Sequence, residues 1–159
     1  MEEKETFQQK VAKVAARFKD CHYYFLNWAQ LNEQLDMYQD DKPVICFLLP
    51  PTGYFDIRQN GDTIVDNPVT EITFIAPGKM DQDTQIADVI IERMKYLAKC
   101  FLRELNKSGY FDIIDKTQIT YETVLEPRTD DAYIGVTVTL PISDAPFYLC
   151  GETKDFGFE

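Results

Sequence analysis

Apolar residues recur along this chain with two different periods, and the points where the period changes divide it into elements. Residues 2–19 place Phe7, Val11, Val14 and Phe18 at i, i+4, i+7 and i+11, the spacing of one helix face. Lys, Gln and Ala flank that stripe, so it is narrow. It predicts an N-terminal helix docked along a single seam rather than buried centrally. Residues 21–38 hold two patterns: HYYFL can form a strand and WAQLNEQLDMY a helical turn or two. The density of rings there predicts burial of Trp28 and its neighbours. After the loop DDKP at 40–43, Val44 to Leu49 is a continuous apolar run, as in a strand covered on both faces. Pro50, Pro51 and Gly53 are expected to end it, because proline cannot donate to a ladder. Tyr54 to Arg58 and Asp62 to Val65 then flank Asn60-Gly61, a pair suited to a hairpin turn with positive φ. VTEITFIA at 69–76 adds a further strand.

The helical period returns after Pro77-Gly78. Over residues 82–107, Ile86, Ile90, Met94, Leu97, Phe101 and Leu105 share one side, widened by Ala87, Ile91, Ala98 and Leu102. Asp81 or Asp83 can cap the start of this helix, and Gly109 can take the left-handed conformation that ends it. Arg103 and Lys107 occupy its last turns, where the helix dipole favours cations. The period then falls to two. In 117–125 Ile119, Tyr121 and Leu125 point to one face; in 133–140 Ile134, Val136, Val138 and Leu140 alternate with Gly135, Thr137 and Thr139. This order predicts an α+β fold: an antiparallel sheet with one long helix packed across it and an amphipathic helix at the N-terminus. At 159 residues a single domain is expected, with residues 1–19 as the N-terminal helical segment and 142–159 as a C-terminal tail.

Charge narrows the partners. The formal net charge is −11, from 16 Lys and Arg against 27 Asp and Glu, with no basic run. Direct binding to nucleic acid is therefore not expected, since phosphates must be neutralised by cations. Anionic membrane surfaces are disfavoured for the same reason. The polar start, MEEKETFQQK, and the lack of an apolar run of about 18 residues lead us to expect a cytoplasmic, non-membrane protein. Cys21, Cys46, Cys100 and Cys150 form no C-x-x-C pair. They are expected to be reduced, with Cys46 a small buried hydrophobe.

The search for catalysis finds little. His22 is the only histidine, and it sits among Cys21, Tyr23, Tyr24 and Phe25 as in a packed strand. Cys21 is an unconvincing partner because adjacent strand residues point to opposite faces. The carboxylates Asp40-Asp41, Asp81/Asp83, Asp112/Asp115 and Asp130-Asp131 do not follow a calcium-loop spacing, and no phosphate-binding glycine loop is present. No catalytic, cofactor-binding or metal-ligating residue is assigned, no cofactor is expected, and the chain is not expected to be an enzyme.

Protein contact fits better. Val89, Tyr96 and Cys100 line up at i, i+7 and i+11 on the side of the long helix away from its main stripe. Phe147, Tyr148, Phe156 and Phe158 crowd the C-terminal tail. Tolerated surface residues and core rings are the plain alternatives. The sharper reading makes these seven residues an interface, since aromatic residues are enriched at interfaces.

The second half resembles small tail-completion or connector-type structural proteins of Bacteroidetes phages and prophages. The resemblance spans roughly residues 42–150 and is carried by DDAYIGVTVTLPISDAPFYLC, in particular Asp130, Asp131, Gly135, Val136 and Cys150. It implies a virion component at the head–tail joint or tail end that acts as a homo-oligomeric ring. Its partners would be itself and other virion proteins, and its location the bacterial cytoplasm and then the virion. A bacterial cytosolic adaptor or binding domain without catalytic activity is the other reading.

Overall fold

In the computed structural model, residues 5–38, 40–57, 61, 64–79, 84–113, 119–127 and 131–144 are described. They form three helices and six strands in an α+β arrangement. In chain order these are α1 (Phe7–Ala15), β1 (His22–Leu26), α2 (Trp28–Asp36), β2 (Val44–Ile57), β3 (Ile64–Lys79), α3 (Thr84–Lys107), β4 (Phe111–Ile113), β5 (Thr120–Pro127) and β6 (Asp131–Asp144). The sheet runs β1-β2-β3-β6, with β4 and β5 both on the far side of β6. All pairings are antiparallel except β1–β2, which is parallel. A parallel pair needs a crossover, and α2 provides it.

Register decides which residues meet. Phe47, Ile72 and Val138 are cross-strand neighbours, as are Ile45, Phe74 and Val136. Together they pave the face that α1 and α3 cover. On the reverse face, Val44, Cys46, Leu48, Ile75 and Tyr133 pack against Leu31 and Leu35 of α2. The run Val44–Leu48 is accordingly buried on both sides, as its unbroken hydrophobicity predicts. On β6 the alternation also holds: Ile134, Val136, Val138 and Leu140 are buried. Thr137 is buried too, its hydroxyl bonded to that of Thr73 at 2.9 Å.

Five expectations change. The stripe of α1 is spent in the central core: Val11 and Val14 are fully buried, and Phe7 meets Phe111 with ring centroids 4.6 Å apart. A narrow stripe suffices because it fills the seam between α3 and the β1–β2 side of the sheet. The helix is also shorter than predicted. It starts at a capping box, in which Thr6 accepts from the Gln9 backbone and the Gln9 side chain accepts from the Thr6 N–H. Trp28 is half exposed, since it sits in the first turn of α2 at the rim of that helix's cover. Residues 142–144, assigned to the tail, extend β6 and pair with β4.

The fifth change concerns Pro50 and Pro51. They do not end β2; they lie in an irregularity between Leu48 and Thr52, after which pairing with β3 resumes. Two prolines are tolerated there because the ladder is already interrupted and β1 has ended opposite Leu48. Beyond them, Thr52–Ile57 and Ile64–Val69 form a ribbon. β3 pairs with β6 only from Val69 onward, so among the described residues this ribbon is a two-stranded arm of the sheet. Gly61 near its turn has φ +75°, in keeping with the Asn60-Gly61 reading.

Candidate interaction surface

Helix α3 is two-sided. Met94, Ala98, Phe101 and Leu105 face the sheet and are buried, while Ile90 and Leu97 are half-buried at the edges of that stripe. Ile86, expected on the same side, is exposed in the first turns of the helix. On the opposite side Val89, Arg93, Tyr96, Cys100, Arg103 and Lys107 fall in one row at helical spacing. Val89 is 68% and Tyr96 70% exposed, and Cys100 is half-buried. The structure thus sets the three helical members of the predicted interface on one line, away from the core. Phe147, Tyr148, Phe156 and Phe158 lie outside the described residues.

Sequence reasoning missed the arm. Phe55 is 75% and Ile57 64% exposed, and Leu49 and Tyr54 are exposed as well. Cross-strand partners share a face, so Phe55 and Ile57 lie on the side of Asp66 and Ile64. The other side carries Val65 and Asn67, both buried. At the arm's base an open groove of about 490 Å³ is lined by Phe7, Phe25, Phe47, Leu49, Phe55 and Pro68. Gly53 is needed there, since a Cβ would come within 2.9 Å of the Pro68 Cα. The available signal was the alternation of Phe55 and Ile57 with polar residues beyond the two prolines. It says that one face is apolar but not that the neighbouring strands stop short.

Charge is divided between the layers. Residues 5–20 and 84–107, which contain α1 and α3, carry nine Lys and Arg against five Asp and Glu, a net +4. The rest of the chain therefore carries −15 of the total −11. Several of these cations tie the layer together: Arg17 pairs with Glu104 at 3.0 Å and Lys95 with Glu92 at 2.8 Å. Lys95 also stands 4.8 Å over the Tyr121 ring of β5. Arg93, Lys99 and Arg103 are exposed along the outer side of α3.

The remaining polar cluster lies at the start of β1. His22 Nε2 is 2.8 Å from Asp40 Oδ2, and Asp40 also accepts from the Lys42 N–H at 3.0 Å. The bond to His22, then that from Lys42, holds the Asp40 carboxyl below the usual carboxylate range. Tyr38 donates to the Lys42 carbonyl at 2.6 Å, and burial pushes its hydroxyl pKa up. His22 is thus a strand residue, as its neighbours predict: it opens β1 opposite Val44, packs edge-on against Tyr38 at 5.5 Å, and ties the loop at Asp40 to the strand. The hollow around it is lined by His22, Tyr24, Gln34, Met37, Tyr38, Asp40 and Asp41, with no thiol or serine among them. Cys21 packs against the α1–α3 core and does not line that hollow. Among the described residues no group of three or more His, Cys, Asp and Glu side chains is placed to hold a metal ion. Nor, among them, is any helix long and apolar enough to cross a membrane.

No protein-family model and no curated protein matches this chain. Its reading therefore rests on the geometry above: an α+β sheet layer with a projecting apolar ribbon on one element and a mixed apolar and cationic row on another.

Proposed function

We propose that this chain is a structural protein of a phage or prophage virion, of the tail-completion, terminator or connector type. It acts at the head–tail joint or tail end by assembling into a homo-oligomeric ring with itself and with other virion proteins as partners. The observation that carries this reading is the arm, a ribbon of two strands among the described residues that holds Phe55 and Ile57 in water. Its other face is buried at Val65 and Asn67, so the Phe55–Ile57 face is the one left open to a neighbour. The likeness of residues 42–150 to phage connector-type proteins points the same way, as does the outer row of α3. The test is composition of particles. Phage particles purified from cells that encode the chain should contain it at a fixed, low number of copies, measured by quantitative peptide mass spectrometry. Its absence from particles whose major capsid protein is detected would favour a bacterial cytosolic adaptor instead.

A further inference from the structure

We propose that the C-terminal tail seats on its own chain, with Phe147 and Tyr148 filling the apolar groove at the base of the arm. The inference does not rest on the virion reading. It assigns these two rings to the chain's own groove rather than to a neighbouring subunit, and it leaves Ile57, which does not line the groove, to the open part of the arm.

The first argument is where the described chain ends. β6 runs toward the arm: its Pro141 lies opposite Val69, the next residue after Pro68 in the groove wall. Further on, the backbone of Asp144 pairs with that of Phe111, which sets their Cα atoms about 5 Å apart. The Phe111 ring is 4.6 Å from the ring of Phe7, and Phe7 lines the groove. Two packed rings thus separate the end of β6 from the groove. Residues 145–159 follow Asp144 and lie outside the described residues. Phe147 comes three residues after Asp144, a span of up to about 11 Å, which is enough to bring its ring over Phe7.

The second argument is chemistry. Phe47 stacks on Phe7 at 6.2 Å and on Phe25 at 5.5 Å, so the groove has a floor of rings. Asp66 is the one charged residue among its described lining. Phe25, Leu49 and Phe55 are exposed there, and covering them with apolar groups is favourable. The tail opens with APFYL at 145–149, which has two rings and no charge. Residues 1–4, which precede Thr6 in the groove wall, carry Glu2, Glu3 and Lys4 instead, and burying those charges is costly. A second copy is at a disadvantage against a tethered segment, whose effective concentration over so short a link is on the order of millimolar.

The test is photo-crosslinking in the full chain, with Tyr148→p-benzoylphenylalanine as the probe. Isotopically heavy and light chains are mixed before irradiation, and the products are mapped by peptide mass spectrometry. Cross-links should join the tail to the groove, at Leu49 to Phe55 or at Pro68, within single chains of 18.5 kDa. Adding Phe55→Asp or Leu49→Asp, both at exposed positions, should abolish these cross-links while circular dichroism stays unchanged. Cross-links that persist in both variants would overturn the proposal, as would cross-links confined to α3 or no cross-link at all. Products joining a heavy chain to a light one would overturn it in favour of the tail of a second copy. None of these outcomes touches membership of the particle, which is judged by its own test.

Discussion

Two positions concentrate the demands of the sheet. Gly135 sits between Ile75 and Val124 in the β3–β6–β5 ladder. A Cβ there would stand 1.9 Å from the Phe74 carbonyl oxygen and 2.9 Å from the Ile75 Cα. Both obstacles are backbone, so β3 must shift to admit even alanine. Gly135→Ala should therefore cost about 3 kcal/mol in denaturant unfolding; a loss within 0.5 kcal/mol, a flag of only about the usual surface effect, would mean the strands relax freely. Cys46 is fully buried, and burial pushes its thiol up to about 12. The folded state thus favours the protonated form. Its contribution to stability is complete below the unfolded thiol pKa of about 8.5 and is lost as pH rises toward the folded value. Cys46→Ala should accordingly lose less stability than wild type between pH 9 and 11, followed by chemical denaturation. At neutral pH a thiol reagent should label the half-buried Cys21 and Cys100 before Cys46.

Among the elements, α3 was the easiest to see in the sequence and the arm the hardest. The 3.6-residue period locates α3 to within two residues at its start and matches its end at Lys107, with Gly109 at φ +74° after it. Which residues along that stripe bear the load was not legible, because the sheet does not extend beneath the whole helix. Phe101 stacks edge-on against Phe74 at 5.6 Å and is fully buried, whereas Ile86 is exposed. Phe101→Ala should thus cost about 3–5 kcal/mol through lost burial and a cavity, and Ile86→Ala less than about 1 kcal/mol. Equal losses in thermal or denaturant melts would show that the helix is seated differently. The stripe of α1 is narrow, yet Val11 and Val14 are buried in a seam whose width no local pattern records.

At the scale of the molecule the division of charge matters most. A chain at −11 looks uniformly acidic from composition, but residues 5–20 and 84–107, which contain α1 and α3, gather nine cations into one layer. Self-association through that cationic layer would weaken with salt, since exposed charges are screened beyond roughly 10 Å at 0.1 M and 3 Å at 1 M. The average mass of wild type in sedimentation should therefore fall as sodium chloride is raised from 0.05 to 0.5 M, on the order of the range in which screening sets in. An unchanged mass would assign the contact to its apolar part alone.

Alternation and period are local properties, and they determined much here. The α+β class, the hairpin around Asn60-Gly61, the long helix and the inward residues of β6 all follow from which side chains must leave water together. Other features depend on how far each element extends relative to its neighbours, which no stretch of sequence states. β1 pairs in parallel because α2 carries the chain back across the sheet. The strand survives Pro50 and Pro51 because the ladder is broken at that point. Phe55 and Ile57 face water because, among the described residues, neither core cluster reaches their face of the ribbon. Likewise Val89 and Tyr96 were placed on the far side of α3 by its period, but their exposure required that nothing else in the described fold pack there. The candidate surface was thus half written in local pattern, and its other half arose only when strands of unequal length were laid side by side.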